Sequence, residues 1–266
     1  MLLLDLLIPA RCAGCGARGA PCCARCAGVW GSVSEVVRVP VAGVARVFAL
    51  ARYRGVARRL LIAYKERGRR DLAASLGRAL AEALVVLPLR KAAGSLPGLP
   101  VTGHRPPGTA RPADPSAEVW ESAWGSAPSA RPRREIPAAA PAVRAICLVP
   151  APSRRSAARI RGGPHVERLA AAAASVLAER GFEVAVAPAL ELTGGARDAV
   201  GLDRAERVAN LAGRLRFREA GRPPPGFPVV VLDDVITTGA TAAACVRALE
   251  GEGIEVAAVL TLLAAG

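Results

Sequence analysis

Val229-Val230-Val231-Leu232-Asp233-Asp234-Val235-Ile236-Thr237-Thr238-Gly239-Ala240-Thr241 is the stretch that decides the fold. Four consecutive apolar residues ending at Asp233 read as a buried strand, Val229 to Asp233. A small, hydroxyl-rich loop with Gly239 follows, and Ala240 to Glu250 reads as a helix ended by Gly251. Backbone N–H groups and hydroxyls at such a helix start form a pocket for a phosphate monoester, with Thr237, Thr238, Gly239, Ala240 and Thr241 as its lining. Asp233 and Asp234, just before the loop, suit the two adjacent hydroxyls of a ribose ring. The GxxxxGK spacing and its lysine are absent, so this is not a Walker loop. The competing reading is an ordinary strand followed by a capped helix. Two acids at a buried strand end are expensive without partners, which favours the ligand site.

Working outward, strands and helices alternate. Val143 to Val149 is strand-like, His165 to Arg180 is an Ala/Leu-rich helix ended by Gly181, Glu183 to Leu190 is a second strand, and Val256 to Leu263 is the last. Alternation of this kind implies an α/β fold with a parallel sheet and helices on both faces. Ligands then bind at the carboxyl ends of the strands. Upstream, Val36 to Tyr53, interrupted by Pro40 and Gly43, reads as two short strands of a hairpin. From about Val56 the spacing turns helical, with Val56, Leu60, Leu61 and Tyr64 on one face. Asp71 can cap a second helix through about Leu87, with Leu72, Leu76, Leu80 and Leu84 at four-residue intervals. Residues 92–140 are rich in Pro, Gly, Ser and Ala without any period and read as a disordered insertion, with Trp120 and Trp124 on a short turn. The chain thus divides into 1–35, 36–91, 92–140 and 141–266, with no internal repeat.

Five of the seven cysteines crowd into the first 26 residues as Cys12-x2-Cys15-x7-Cys23-x2-Cys26, with Cys22 beside them. Two CxxC knuckles supply four thiolates for a tetrahedral structural zinc, closed to substrate. So short a segment cannot bury its own core, and metal would supply its folding energy. Gly14 and Gly16 relax the first knuckle. Cys22 can replace Cys23 with a spacing of six, and a redox CxxC or free thiols are the competing readings. Cys147 and Cys245, alone in apolar contexts, read as buried core thiols.

The 266 residues are 52% hydrophobic and 22% charged, enough for a packed core, while 3% aromatics argue against extensive base-stacking platforms. No run approaches the roughly 20 apolar residues of a membrane helix. Met1 to Ile8 is apolar but holds Asp5 and no basic leader, unlike a signal peptide, so a cytoplasmic location without membrane insertion is expected. Residues 1–91 hold 16 Lys/Arg against 5 Asp/Glu, which places most of the net charge of +14 there. The excess peaks at Arg52, Arg54, Arg58, Arg59, Lys65, Arg67, Arg69 and Arg70. Such a patch attracts polyanions, nucleic acid first; the alternative is a solvated face in an arginine-biased composition, since only Lys65 and Lys91 are lysine.

The 229–241 segment closely resembles the phosphoribosyl pyrophosphate signature of type I phosphoribosyltransferases. The wider chain, apart from 92–140, resembles the ComF-type competence proteins, a branch of that superfamily with an N-terminal zinc knuckle. The supports are Cys12 to Cys26, Tyr64 to Leu72 (YKERGRRDL), Val149 to Arg155 (VPAPSRR) followed by Arg161-Gly162, and Gly201 to Leu211 (GLDRAERVANL). The resemblance implies a phosphoribosyltransferase-like core in which Asp233 and Asp234 serve the ribose. It implies that Arg154 and Arg155 hold pyrophosphate, for which guanidinium is suited. Thr193 to Asn210 would form a hood with Arg197, Arg207 and Asn210 as contacts; a solvated surface is the other reading of Arg197 and Arg207.

Two departures stand out. Gly163, Pro164 and His165 replace the family's aromatic, Asn and Gln, and Ala199 stands where the hood carries a Gln. His165 is given no catalytic role, a histidine at a helix start being more often structural or exposed. The implied reaction is displacement of pyrophosphate from C1′ of Mg²⁺-bound phosphoribosyl pyrophosphate through an oxocarbenium-like transition state, with little acid–base chemistry from the protein. The competing function is a non-enzymatic factor that senses a nucleotide-like ligand, binding single-stranded DNA or a DNA-uptake helicase through the knuckle and the basic patch.

Overall fold

The computed structural model describes residues 10–89, 144–153, 163–193 and 214–266. The valine run becomes β7, one of the two innermost strands of a six-stranded sheet. In chain order the elements are α1 (Ala24–Ala27), β1 (Ser34–Glu35), β2 (Val47–Arg52), α2 (Gly55–Glu66), a 3₁₀ turn (Arg70–Leu72), α3 (Ala73–Val86), β3 (Arg144–Pro150) and α4 (His165–Glu179). There follow β4 (Phe182–Val186), β5 (Leu190–Leu192), β6 (Leu215–Phe217), a second 3₁₀ turn (Glu219–Gly221), β7 (Val229–Ile236), α5 (Ala240–Glu250) and β8 (Val256–Ala264). The sheet order is β1-β2-β8-β7-β3-β4, and β5 and β6 pair separately. All pairings in the large sheet are parallel except β1 with β2. The architecture is therefore α/β with a mostly parallel sheet.

Alternation along the strands divides the core in two. Val230, Leu232, Leu148, Leu260 and Phe48 face α2, α3 and α4, while Val229, Val231, Cys147, Val149 and Val259 face α5 and the β5–β6 pair. Cys147 and Cys245 are fully buried on the second face. On the first face α3 crosses α4 at Gly77, where a Cβ would stand 2.4 Å from that of Ala172. No larger residue fits there without moving a helix.

Several elements differ from their expected form. Asp71 does not cap a helix: it lies in the 3₁₀ turn, where Arg69 binds its carboxylate at 2.7–3.1 Å, and α3 starts two residues later at Ala73. Its carboxylate is held by Arg69, and the Ala73 N–H is taken by the Arg70 carbonyl. The strand expected from Glu183 to Leu190 breaks at Pro188: β4 ends at Val186, and Leu190 belongs to the small sheet. Of the hairpin expected over 36–53 only the second strand, Val47–Arg52, forms, and its antiparallel partner is Ser34–Glu35, before the expected start. β7 runs on to Ile236, because β8 continues beside it in register to Ala264, and both acids therefore lie within the strand. The 92–140 segment, with Trp120 and Trp124, lies outside the described residues, as do Arg154, Arg155, Arg197, Arg207 and Asn210.

Candidate functional site

Adjacent strand residues point to opposite faces, and this separates the two acids. Asp234 turns toward α2 and α4 and is 5% exposed. Its Oδ2 lies 2.6 Å from Lys65 Nζ on α2 and 2.7 Å from His165 Nε2 at the start of α4. Burial alone would raise its pKa, but the hydrogen bond from His165 and the charge of Lys65 outweigh that and bring it to about 2. The Tyr64 hydroxyl donates to the His165 carbonyl at 2.8 Å, and Ser153 Oγ stands 3.3 Å from His165 Nδ1.

Asp233 faces the other way, with its Oδ1 accepting the Asp234 N–H at 2.8 Å. It lines a cavity of about 20 Å³ with Thr237, Thr238, Gly239, Ala240, Thr241 and Thr261. That is room for one water-sized group such as a phosphate oxygen. Burial, and then the neighbouring Asp234 charge, raise the Asp233 pKa to about 7. The proton is thus held more tightly in the fold than in the unfolded chain. As pH rises from about 4 to about 7 the unfolded state releases it first, and stability falls. Asp233→Asn removes this penalty. Its stability advantage over the parent, measured by denaturant titration, should grow from pH 4 to 7 and then level off. A constant difference across that range would contradict the assignment.

The loop itself is shaped by Gly239 at φ +86°, in the left-handed region, directly before α5. A side chain there would also strike Arg38, whose Cβ lies 2.9 Å from the position a Cβ would take. Arg38 donates to the carbonyls of Thr237 at 2.7 Å and Ala265 at 2.6 Å, clamping the loop to the end of β8. A larger cavity of about 440 Å³ lies between residues 35–47 and the start of β8, lined by valines and by the charged Glu35, Arg38, Arg46, Glu250 and Glu255.

Sequence reasoning missed Lys65 as a partner, His165, Ser153 and Arg38. One signal was present: in a chain that uses arginine almost throughout, lysine survives at 65, where a compact ammonium fits beside a buried carboxylate.

The four-cysteine cluster forms a second constellation. The Sγ atoms of Cys12, Cys15, Cys23 and Cys26 lie within 4.8 Å of one another, a set that can hold one tetrahedral cation. Cys22 is outside it, which resolves its competition with Cys23. Burial opposes a thiolate at Cys12, but N–H groups of Cys23, Cys15 and Gly14 prevail and lower its pKa to about 6. Cys26 is pushed up by burial and by the neighbouring cysteines. The knuckle is seated on α2. A Cβ on Gly14 would meet Cys26 Sγ at 2.8 Å and Val56 Cγ1 at 2.9 Å, and Arg59 donates to the Gly14 carbonyl at 2.7 Å.

Among the described residues no helix is long and apolar enough to cross a membrane. A comparison with models of known protein families finds no match, and no curated protein matches the chain either.

Proposed function

We propose that the chain is a ComF-type, phosphoribosyltransferase-like protein that binds Mg²⁺–phosphoribosyl pyrophosphate at the carboxyl edge of its sheet and transfers the phosphoribosyl group with release of pyrophosphate. The observation that carries this reading is Asp233 beside the notch formed by Thr237 to Thr241, with Gly239 left-handed at the helix start. The loop amides receive the 5′-phosphate, Asp233 a ribose hydroxyl, and Arg154, Arg155 and Arg197 belong to the pyrophosphate side by family resemblance. Mg²⁺ enters with the pyrophosphate and offsets its charge. The four cysteines hold a structural zinc, in keeping with their spacing and their mutual distances.

Calorimetry tests the site. The parent should bind Mg²⁺–phosphoribosyl pyrophosphate, and Asp233→Asn should lose most of that affinity while remaining cooperatively folded. A parent protein that does not bind it removes this reading. Pyrophosphate release with candidate bases separates a transferase from a ligand sensor.

The nucleic-acid alternative draws support from one observation: the basic patch divides into two sets. Arg59 and Arg69 are engaged with the Gly14 and Arg11 carbonyls and Arg58 lies over the Tyr53 ring, whereas Arg54, Arg67 and Arg70 are exposed. Arg67→Glu with Arg70→Glu should weaken single-stranded DNA binding and flatten its log–log salt dependence by about 0.7 for each phosphate no longer neutralised. Unchanged affinity in filter binding would make the patch a solvated face.

A further inference from the structure

The phosphoribosyl reading leaves one buried group without a task. His165 is 6% exposed and engaged at both ring nitrogens. A carboxylate can only accept hydrogen bonds, so Nε2 carries the hydrogen toward Asp234, and Nδ1 faces the Ser153 hydroxyl at 3.3 Å. Lys65, 2.6 Å from the same carboxylate oxygen, keeps Asp234 charged, and Tyr64 fixes the His165 backbone from below. Ser153 lies just past β3, His165 begins α4, and Asp234 is near the end of β7. All three stand at the edge of the sheet where ligands of such folds bind.

We propose that Ser153, His165 and Asp234 form a proton-accepting relay for the incoming nucleophile, and that the acceptor is therefore an amine or hydroxyl compound that must lose a proton as it attacks. The inference rests on the phosphoribosyl reading and adds acid–base chemistry to it. The acceptor's lone pair forms the new bond to C1′ while the C1′–O bond breaks, its electron pair leaving with pyrophosphate. The acceptor's proton passes to Ser153 Oγ as the serine proton passes to His165 Nδ1. The imidazolium, held between Ser153 and Asp234, then releases its proton to water. Ser153 touches the acceptor and is the catalytic residue; His165 and Asp234 are positioning residues that act through it.

The charged and polar groups around this relay are Lys65 and Tyr64 on α2, Arg168 on α4, which acts on Tyr64, and Asp234 on β7. Two variants test it, with Mg²⁺–phosphoribosyl pyrophosphate as donor and ammonia and hydroxylamine as acceptors. Ser153→Ala removes the hydroxyl. His165→Gln keeps an N–H toward Asp234 but has no nitrogen that takes up a proton. Each should slow pyrophosphate release on the order of 100-fold, the range of general acid–base catalysis, with donor affinity by calorimetry unchanged. Donor binding with undiminished release in both variants overturns the relay and leaves the phosphoribosyl reading standing. So does donor binding in a parent that transfers to neither acceptor. A parent that fails to bind the donor removes both.

Discussion

Asp234→Ala should lower the unfolding free energy by about 3 kcal/mol, the low end of the range for removing one partner of a buried ion pair. The low end applies because the Lys65 side chain is 28% exposed and can swing partly into water. His165 has no such escape and loses the acceptor of its Nε2–H. Lys65→Met should relieve part of the damage, since it removes the orphaned charge and keeps the stem packed. In a double-mutant cycle by urea denaturation, the two changes together should therefore cost less than their sum. Acid unfolding supplies an independent check. The carboxyl of Asp234 is depressed from an ordinary 3.8 to about 2, so its contribution is complete above about pH 4 and is lost as pH falls through about 2. The parent should show this loss and the alanine variant should not. Equal acid sensitivity of the two proteins would mean that Asp234 is not paired in solution.

Replacing Cys12 and Cys15 together by serine should have the largest local effect. Zinc should fall from about one per chain to none, because two remaining thiolates do not complete a tetrahedral shell. Binding free energy in such knuckles is folding free energy, so residues 10–33 should lose hydrogen-exchange protection together. The damage should reach α2. Cys12 and Cys26 pack in the same apolar cluster as Leu60 and Leu61, and Arg59 loses the Gly14 carbonyl. Protection at the Val56–Arg59 turn should decline while β7 and β8 keep theirs. A parent protein free of metal after purification in zinc-containing medium would defeat the prediction.

The strand–loop–helix at 229–250 was legible because its apolar run, its glycine and its small loop residues are all local signals. The knuckle was legible for the same reason, as spacing alone determines which thiols can converge. The two acids were visible as a pair, but their division between opposite faces depends on β7 running three residues beyond Asp233, which only the register with β8 decides. Contacts to Asp234 come from Lys65 and His165, and those to the Thr237 carbonyl from Arg38, across long stretches of chain. No periodicity encodes such meetings. Asp71 misled because it has the chemistry of a cap, yet Arg69 two residues away offers it a closer partner than the helix does.

The position of β8 sets an order in time. It lies between β2 and β7, so a strand made late holds together a partner made long before it. Among the described residues β2 pairs otherwise only with the two residues of β1, and Val47 waits for Val259, more than 200 residues downstream. At ribosomal rates of about 5–20 residues per second, that wait is about 10–40 s, with an apolar strand edge open throughout. Parallel pairings across such separations are also slow to form once both strands exist. Val47 to Leu50, buried in the folded sheet, stay without their central neighbour throughout that interval.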